Sequence, residues 1–334
     1  MSAFDNHKKL FGTAFVFFAA LTIWVAVIPA LHNQKNNAPL PGAKPLTEAE
    51  RKGKDIYIAN GCVACHTQQV RNIDMDKMWG ERPGVAADYA GNHRLDFLRN
   101  TATLMGTERT GPDLTNIGNR QPSADWQLVH LYNPRTVVKE SIMPAYPWLF
   151  TYKEKPGKND VIVNVPDEFK KGKTGKVVAT KDALNLVAYL QSLKQVPLPD
   201  GTPSPEFLYK RNIAKVGDSG KPAGMDGQAL YTANCQSCHQ SNGEGLAGAF
   251  PPLKGSKIVD GDDLNIYVGI IMHGYDARAE YGVMPAIGTT MKFTENEIAA
   301  IINYERSSWG NNGKQVTPDE IKKALDSVNT TLKK

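Results

Sequence analysis

With 334 residues, 41% apolar and 22% charged, the chain has the composition of a globular protein with room for two domains; it is too long for one small unit and too apolar to be disordered. The net charge of +5 is uneven: between Gly224 and Gly310 ten acidic residues stand against five basic ones, leaving that segment at −5 and the remainder at +10. The lysine runs "KEKPGK" and "KKGKTGK" have glycine, proline and acidic neighbours and read as solvated loops, so no nucleic acid is expected as a partner.

The first element is an apolar helix. "FGTAFVFFAALTIWVAVIPAL", Phe11 to Leu31, carries no charge over 21 residues, and at ~1.5 Å per residue it spans about 30 Å of hydrocarbon. The apolar core of a cleaved signal peptide runs only about 7–15 residues, so residues 11–31 read as an uncleaved transmembrane anchor in a lipid bilayer. Lys8 and Lys9 precede it. They predict a cytoplasmic N-terminus over residues 1–10 and everything after Leu31 on the outer side, the periplasm of a Gram-negative cell. The expected location is the bacterial inner membrane, crossed once.

The proline-rich "NQKNNAPLPGAKPL" is an extended lead-in. Thr47 with Glu50, Thr294 with Glu297, and Thr317 with Glu320 have the spacing of helix-start capping boxes, and Val316 with Ile321 that of a hydrophobic staple. Strand alternation is nearly absent outside "DVIVNV" at 160–165. The Pro-, Gly- and Lys-dense stretch 196–223 reads as a linker between a first domain, 45–195, and a second, 224–310, with a helical tail at 311–334. The halves repeat: Gly53–Tyr57–Cys62 with a later "LNLVAYLQSL" matches Gly227–Tyr231–Cys235 with a later "IAAIINYERS". The fold class expected is all-α: an anchor helix followed by two helical units.

All four cysteines fall in two C-x-x-C-H stretches, Cys62–Cys65–His66 and Cys235–Cys238–His239. C-x-x-C-H is the attachment pattern of c-type haem, with both thiols joined to the vinyl groups and the histidine an iron ligand. A four-thiolate zinc site needs its pairs much closer in sequence, a thioredoxin-like pair needs a βαβ setting, and two disulfides leave the histidines unexplained. The expectation is two covalently bound haem c, with His66 and His239 as proximal ligands. Sixth-ligand candidates are Met75, Met78, Met105 and Met143 in the first unit and Met272, Met284 and Met291 in the second; Met143 and Met284 are favoured because a proline follows each. His/Met ligation fills both axial positions and suits electron transfer. His93, His130 and His273 read as structural, and one or two of Arg71, Arg109, Arg120 and Arg135 as partners of haem propionates.

Residues 106–150, with "RTGPDL", "HLYNPR" and "MPAYPWL", closely resemble the membrane-anchored cytochrome c subunit (subunit II) of cbb3-type haem–copper oxidases, and the resemblance runs from about residue 10 to 195. It implies haem on Cys62 and Cys65, with His66 and Met143 as axial ligands. The second half, with "NCQSCHQSNGEGLAGAFPPLKG", is similar to a class I cytochrome c domain like those of subunit III of the same oxidases. The resemblance implies a non-catalytic subunit passing electrons from a soluble or membrane cytochrome c, through the second haem and then the first, to a membrane-embedded haem–copper catalytic subunit that reduces oxygen. A nitric oxide reductase cytochrome subunit and a stand-alone dihaem peroxidase are the alternatives. The −5 charge of the second unit, with "DGDD" at Asp260, Asp262 and Asp263, suggests that it receives the electrons.

Overall fold

The structure is a computed structural model; it describes residues 6–36, 38–90, 104, 106, 108–170, 172–208, 226–276 and 281–331. His93, Met105 and residues 209–223 of the expected linker lie outside the described residues.

Helix α1 (His7–Thr22) starts where Asn6 accepts a hydrogen bond from the Lys9 N–H, passes through a π-helical stretch (Ile23–Val27) and continues as α2 (Ile28–Asn36). The widened turn falls just before Pro29, whose ring would collide with the carbonyl four residues back in a regular helix. His7–Asn33, a helix of 27 residues whose most apolar 18-residue window has a mean hydropathy of 2.4 and is 0% buried, is long and apolar enough to cross a membrane.

The first unit is closed by α3 (Glu48–Ala59) packed on α7 (Lys181–Ser192), with α4 (Cys62–Cys65), α5 (Ile117–Arg120) and α6 (Ala124–Tyr132) between them in sequence. Thr47 and Glu50 form the expected capping box. The helical class stands, at 49% helix against 6% strand among the described residues. The strand is one small sheet: β1 (Phe150–Lys153), β2 (Ile162–Val163) and β3 (Lys176–Ala179), antiparallel in the order β1-β3-β2 with Phe150 opposite Ala179 and Ile162 opposite Val178. The alternation at 160–165 is thus real, but its strand is stable only because β3 pairs with it and buries Val177 and Val178.

The second unit consists of α8 (Gly227–Asn234), α9 (Gln236–His239), α10 (Leu264–His273), α11 (Ile287–Met291) and α12 (Glu295–Ser307), followed by α13 (Pro318–Thr331). Both expected capping boxes form, at Thr294/Glu297 and Thr317/Glu320. Helix α13 packs on α10 and α12, and the staple residues Val316 and Ile321 are buried in the same core as Val268, Ile298 and Ile302. The tail therefore completes this core.

Candidate functional site

The repeat in the sequence is a repeat in space. A Cβ on Gly53 would stand 2.0 Å from the Asn185 carbonyl oxygen of α7, and one on Gly227 2.1 Å from that of Ala300 in α12. Only glycine lets the two helices of each unit approach so closely. One turn on, Tyr57 donates to the His66 carbonyl at 3.3 Å and Tyr231 to the Gln240 carbonyl at 2.6 Å, tying the end of each C-x-x-C-H stretch to the helix before it.

Each histidine is then fixed by a proline carbonyl. His66 Nδ1 lies 2.7 Å from the Pro112 oxygen and His239 Nδ1 2.9 Å from the Pro251 oxygen. A carbonyl can only accept, so Nδ1 carries the proton and Nε2 keeps its lone pair, the tautomer an iron ligand requires. Burial lowers the pKa of both imidazoles, which favours the neutral form. The ring of His66 lies against Gly111, where a Cβ would come within 2.3 Å of Cε1.

In the second unit Cys235, Cys238, His239 and Met284 line one apolar cavity of about 120 Å³ that opens in part to solvent. Met284 is held there by paired backbone hydrogen bonds with Tyr275, both 2.9 Å. Met272 packs into the core with its sulfur against Gly288, and Met291 is exposed at the end of α11. In the first unit Met143 packs against the core that contains Cys62, and Tyr146, three residues on, is buried in that same core. Met75 and Met78 are exposed. Thiols, imidazole and thioether thus share one cavity in the second unit, while in the first the structure shows Met143 only as packed against the core that holds Cys62.

The four arginines separate cleanly. Arg71 and Arg109 hold the buried Asp76 carboxylate, and Arg109 also donates to Thr67 and the Gln69 carbonyl. Arg135 donates to the Met143 carbonyl at 3.3 Å. Arg120 lies over the Trp79 ring at 5.0 Å and donates to the Asp113 carbonyl, while its buried Nε–H has no protein partner. Burial pushes its pKa down to about 10. A buried cation with a spare donor near His66 fits a haem propionate.

Sequence reasoning missed two features. Glu305 is buried in the wall of the second cavity and accepts a hydrogen bond from Tyr267; its signal was an acid in the apolar stripe Ile298, Ile302, Glu305 of α12. The other is the contact between the units. Gln121 Nε2 donates to Ser237 Oγ and Trp126 Nε1 to the Ser237 carbonyl, each 2.9 Å, and the Val283 N–H donates to Asp125 at 3.0 Å. Ala249 and Phe250 are buried in the first unit's core, with Cys238 packed against it. No local pattern at Ser237 announces this.

Two helical units, each carrying C-x-x-C-H with a carbonyl-fixed histidine, define a c-type cytochrome. The comparisons agree: residues 2–165 match the family described as cytochrome c oxidase, mono-haem subunit/FixO, and residues 224–309 match the cytochrome c family. The cytochrome c subunit of a quinone-dependent alcohol dehydrogenase from Gluconacetobacter polyoxogenes is 32% identical over 167 residues, covering 47% of this chain and 35% of that subunit. Cytochrome c-552 of Thermus thermophilus is 34% identical over 112 residues, 30% of this chain and 75% of its own. The fructose dehydrogenase cytochrome subunit of Gluconobacter japonicus is 28% identical over 190 residues, covering 47% of this chain and 39% of its own. The chain spans about a third of the length of the dehydrogenase subunits it matches first. It belongs to the c-type cytochromes, with a FixO-type unit followed by a second cytochrome c domain, and two such domains imply covalently bound haem c.

Proposed function

We propose that the chain is the dihaem relay of a cbb3-type haem–copper oxidase, anchored in the bacterial inner membrane with residues 45–195 and 224–310 as its two periplasmic haem domains. The single observation that carries this reading is the FixO match over residues 2–165, which takes in the apolar helix, the first C-x-x-C-H and Met143. Cys62 and Cys65 attach the first haem, Cys235 and Cys238 the second. His66 and Met143, and His239 and Met284, hold the irons. Bound there, haem c would supply reversible one-electron exchange, with these histidines and methionines as the residues that would hold its iron.

The protein's own part is positional. The Pro112 and Pro251 carbonyls orient the imidazoles; Arg120 would supply a fixed cation to a propionate; the second site's walls are mostly apolar. Electrons arrive at the acidic second unit and leave from the first, toward a membrane-embedded haem–copper subunit. Intact mass under denaturing conditions should equal the polypeptide plus two haems, and the subunit copurifying from membranes should be a haem–copper oxidase. A second reading, a relay serving a membrane dehydrogenase, is favoured by the alcohol and fructose dehydrogenase relatives; a copurifying dehydrogenase would establish it.

A further inference from the structure

The two haem attachment stretches are not simply strung along one chain. Ser237 lies between Cys235 and Cys238, and both of its accepting oxygens are taken by the first unit: Oγ by Gln121, the carbonyl by the Trp126 indole N–H. Gln121 also lines the second cavity. On its other side the Trp126 ring stacks on His130, centroids 4.5 Å apart and planes 12° from parallel. His130 is close enough to His66 for the two imidazoles to influence each other electrostatically, and its buried Nδ1 has no protein partner. The Cys238 side of the second site is pressed into the first unit's apolar core. A path of hydrogen-bonded and stacked groups therefore runs from Ser237 through Trp126 to His130.

We propose that Gln121 and Trp126 are positioning residues for electron passage between the two haem sites, clamping the second attachment stretch onto α6 with the Trp126–His130 stack as the bridging contact. This rests on the two-haem reading above. The step is a single electron transfer: the second site is oxidised from ferrous to ferric, the first reduced from ferric to ferrous, and no bond or proton changes hands. Trp126 and His130 keep their own electrons. What the clamp contributes is a short, fixed separation between the two attachment stretches.

The test uses the full dihaem chain. Haem content by mass comes first; a chain with fewer than two haems in the wild type defeats the two-haem reading rather than this one. The rate of electron equilibration between the haems is then followed after photoreduction, and the distance between the two ferric irons by pulsed EPR, in wild type, Trp126→Phe and Trp126→Leu. Trp126→Leu is expected to slow equilibration about tenfold, the equivalent of about 1.4 kcal/mol of barrier, with both haem spectra and potentials unchanged, and Trp126→Phe to recover most of it. Should Trp126→Leu not fold, Trp126→Phe with Gln121→Leu removes both donors to Ser237 while keeping an aromatic ring, and should broaden the distance distribution and slow the rate. Wild-type rate and distance in Trp126→Leu, or in Trp126→Phe with Gln121→Leu should Trp126→Leu not fold, overturns the proposal.

Discussion

Tyr267 donates its hydroxyl hydrogen bond to Glu305 inside the second haem cavity, and both side chains are shut off from solvent. Around them stand Arg306, whose guanidinium lies 5.8 Å from the Tyr267 ring centre, and Cys235 and Tyr231. Burial pushes the Glu305 carboxyl from 4.5 up to about 7. A raised acid pKa means that the folded chain holds a proton which the unfolded chain has lost. Stability is thus intact below about pH 4.5 and falls as pH rises toward 7, by at most ~1.4 kcal/mol per pH unit. Above 7 the buried anion favours ferric iron, so the second haem's midpoint potential should fall as pH rises through that range. Glu305→Gln should flatten both profiles in thermal unfolding and redox titration. A wild-type potential independent of pH between 6 and 8 would show that Glu305 does not titrate there.

Gly53 and Gly227 make a prediction about stability. A methyl group at either would meet a backbone carbonyl of the partner helix at about half the normal contact distance, 2.0 and 2.1 Å, and a backbone cannot rotate aside. Gly53→Ala and Gly227→Ala should each cost about 1–3 kcal/mol or more, lowering the thermal midpoint of the unit that carries it. Gly269 in α10, where a Cβ meets only Val328 side-chain carbons at 3.8 Å, is the control. Gly269→Ala should be neutral or stabilising by up to ~1 kcal/mol. Equal midpoints for all three variants would refute the close-packing account.

Much of this was legible in the sequence because its signals are local. Thr47/Glu50, Thr294/Glu297 and Thr317/Glu320 each fix a helix start within four residues, and C-x-x-C-H puts its groups on one turn. Met284 stood out because a proline follows it, and it does line the cavity with His239. What stayed hidden is long-range. The Pro112 and Pro251 carbonyls are ordinary backbone until the fold brings each beneath an imidazole. β2 is two residues long and is ordered by a strand 13 positions later. Ser237 gives no hint that Trp126, 111 residues earlier, donates to it.

Arg120 is the arginine on which the first haem's potential should depend. Its buried Nε–H is unpartnered, whereas Arg71 and Arg109 share Asp76. A fixed cation there opposes the ferric charge, so Arg120→Gln should lower the first haem's midpoint potential and leave the second unchanged. Arg120→Lys restores charge but not the fork geometry and should recover part of the loss. A drop on Arg71→Gln instead would assign the propionate to Arg71.

The methionine assignments separate by spectrum. Met143→His or Met284→His should lower the potential of one haem only, because imidazole favours ferric iron more than a thioether does. Met75→Leu and Met272→Leu should leave both haems His/Met-ligated, as Met75 is exposed and Met272 packs against Gly288. Loss of a His/Met spectrum in Met272→Leu would displace Met284 from its place.

The acidic surface of the second unit makes the last prediction, and the structure changes which acids carry it. Of the "DGDD" residues, Asp260 accepts a hydrogen bond from the Asn312 N–H at 3.0 Å and Asp263 caps α10, accepting from the Asn265 and Ile266 N–H groups. Reversing these two would disturb structure before it disturbed docking. Asp262 and Asp276 are exposed, and Asp276 follows Tyr275, which lines the haem cavity beside the exposed Val283. A basic donor drawn to this face would meet the cavity mouth. Asp262→Lys with Asp276→Lys should therefore reduce the association rate with a basic cytochrome severalfold at low salt. The difference from wild type should shrink toward physiological ionic strength, where the Debye length is about 8 Å. Both haem spectra should be unchanged, since neither residue is a proposed ligand. Stopped-flow reduction that kept its rate and salt dependence in this variant would move the point of electron arrival off the second unit's acidic face.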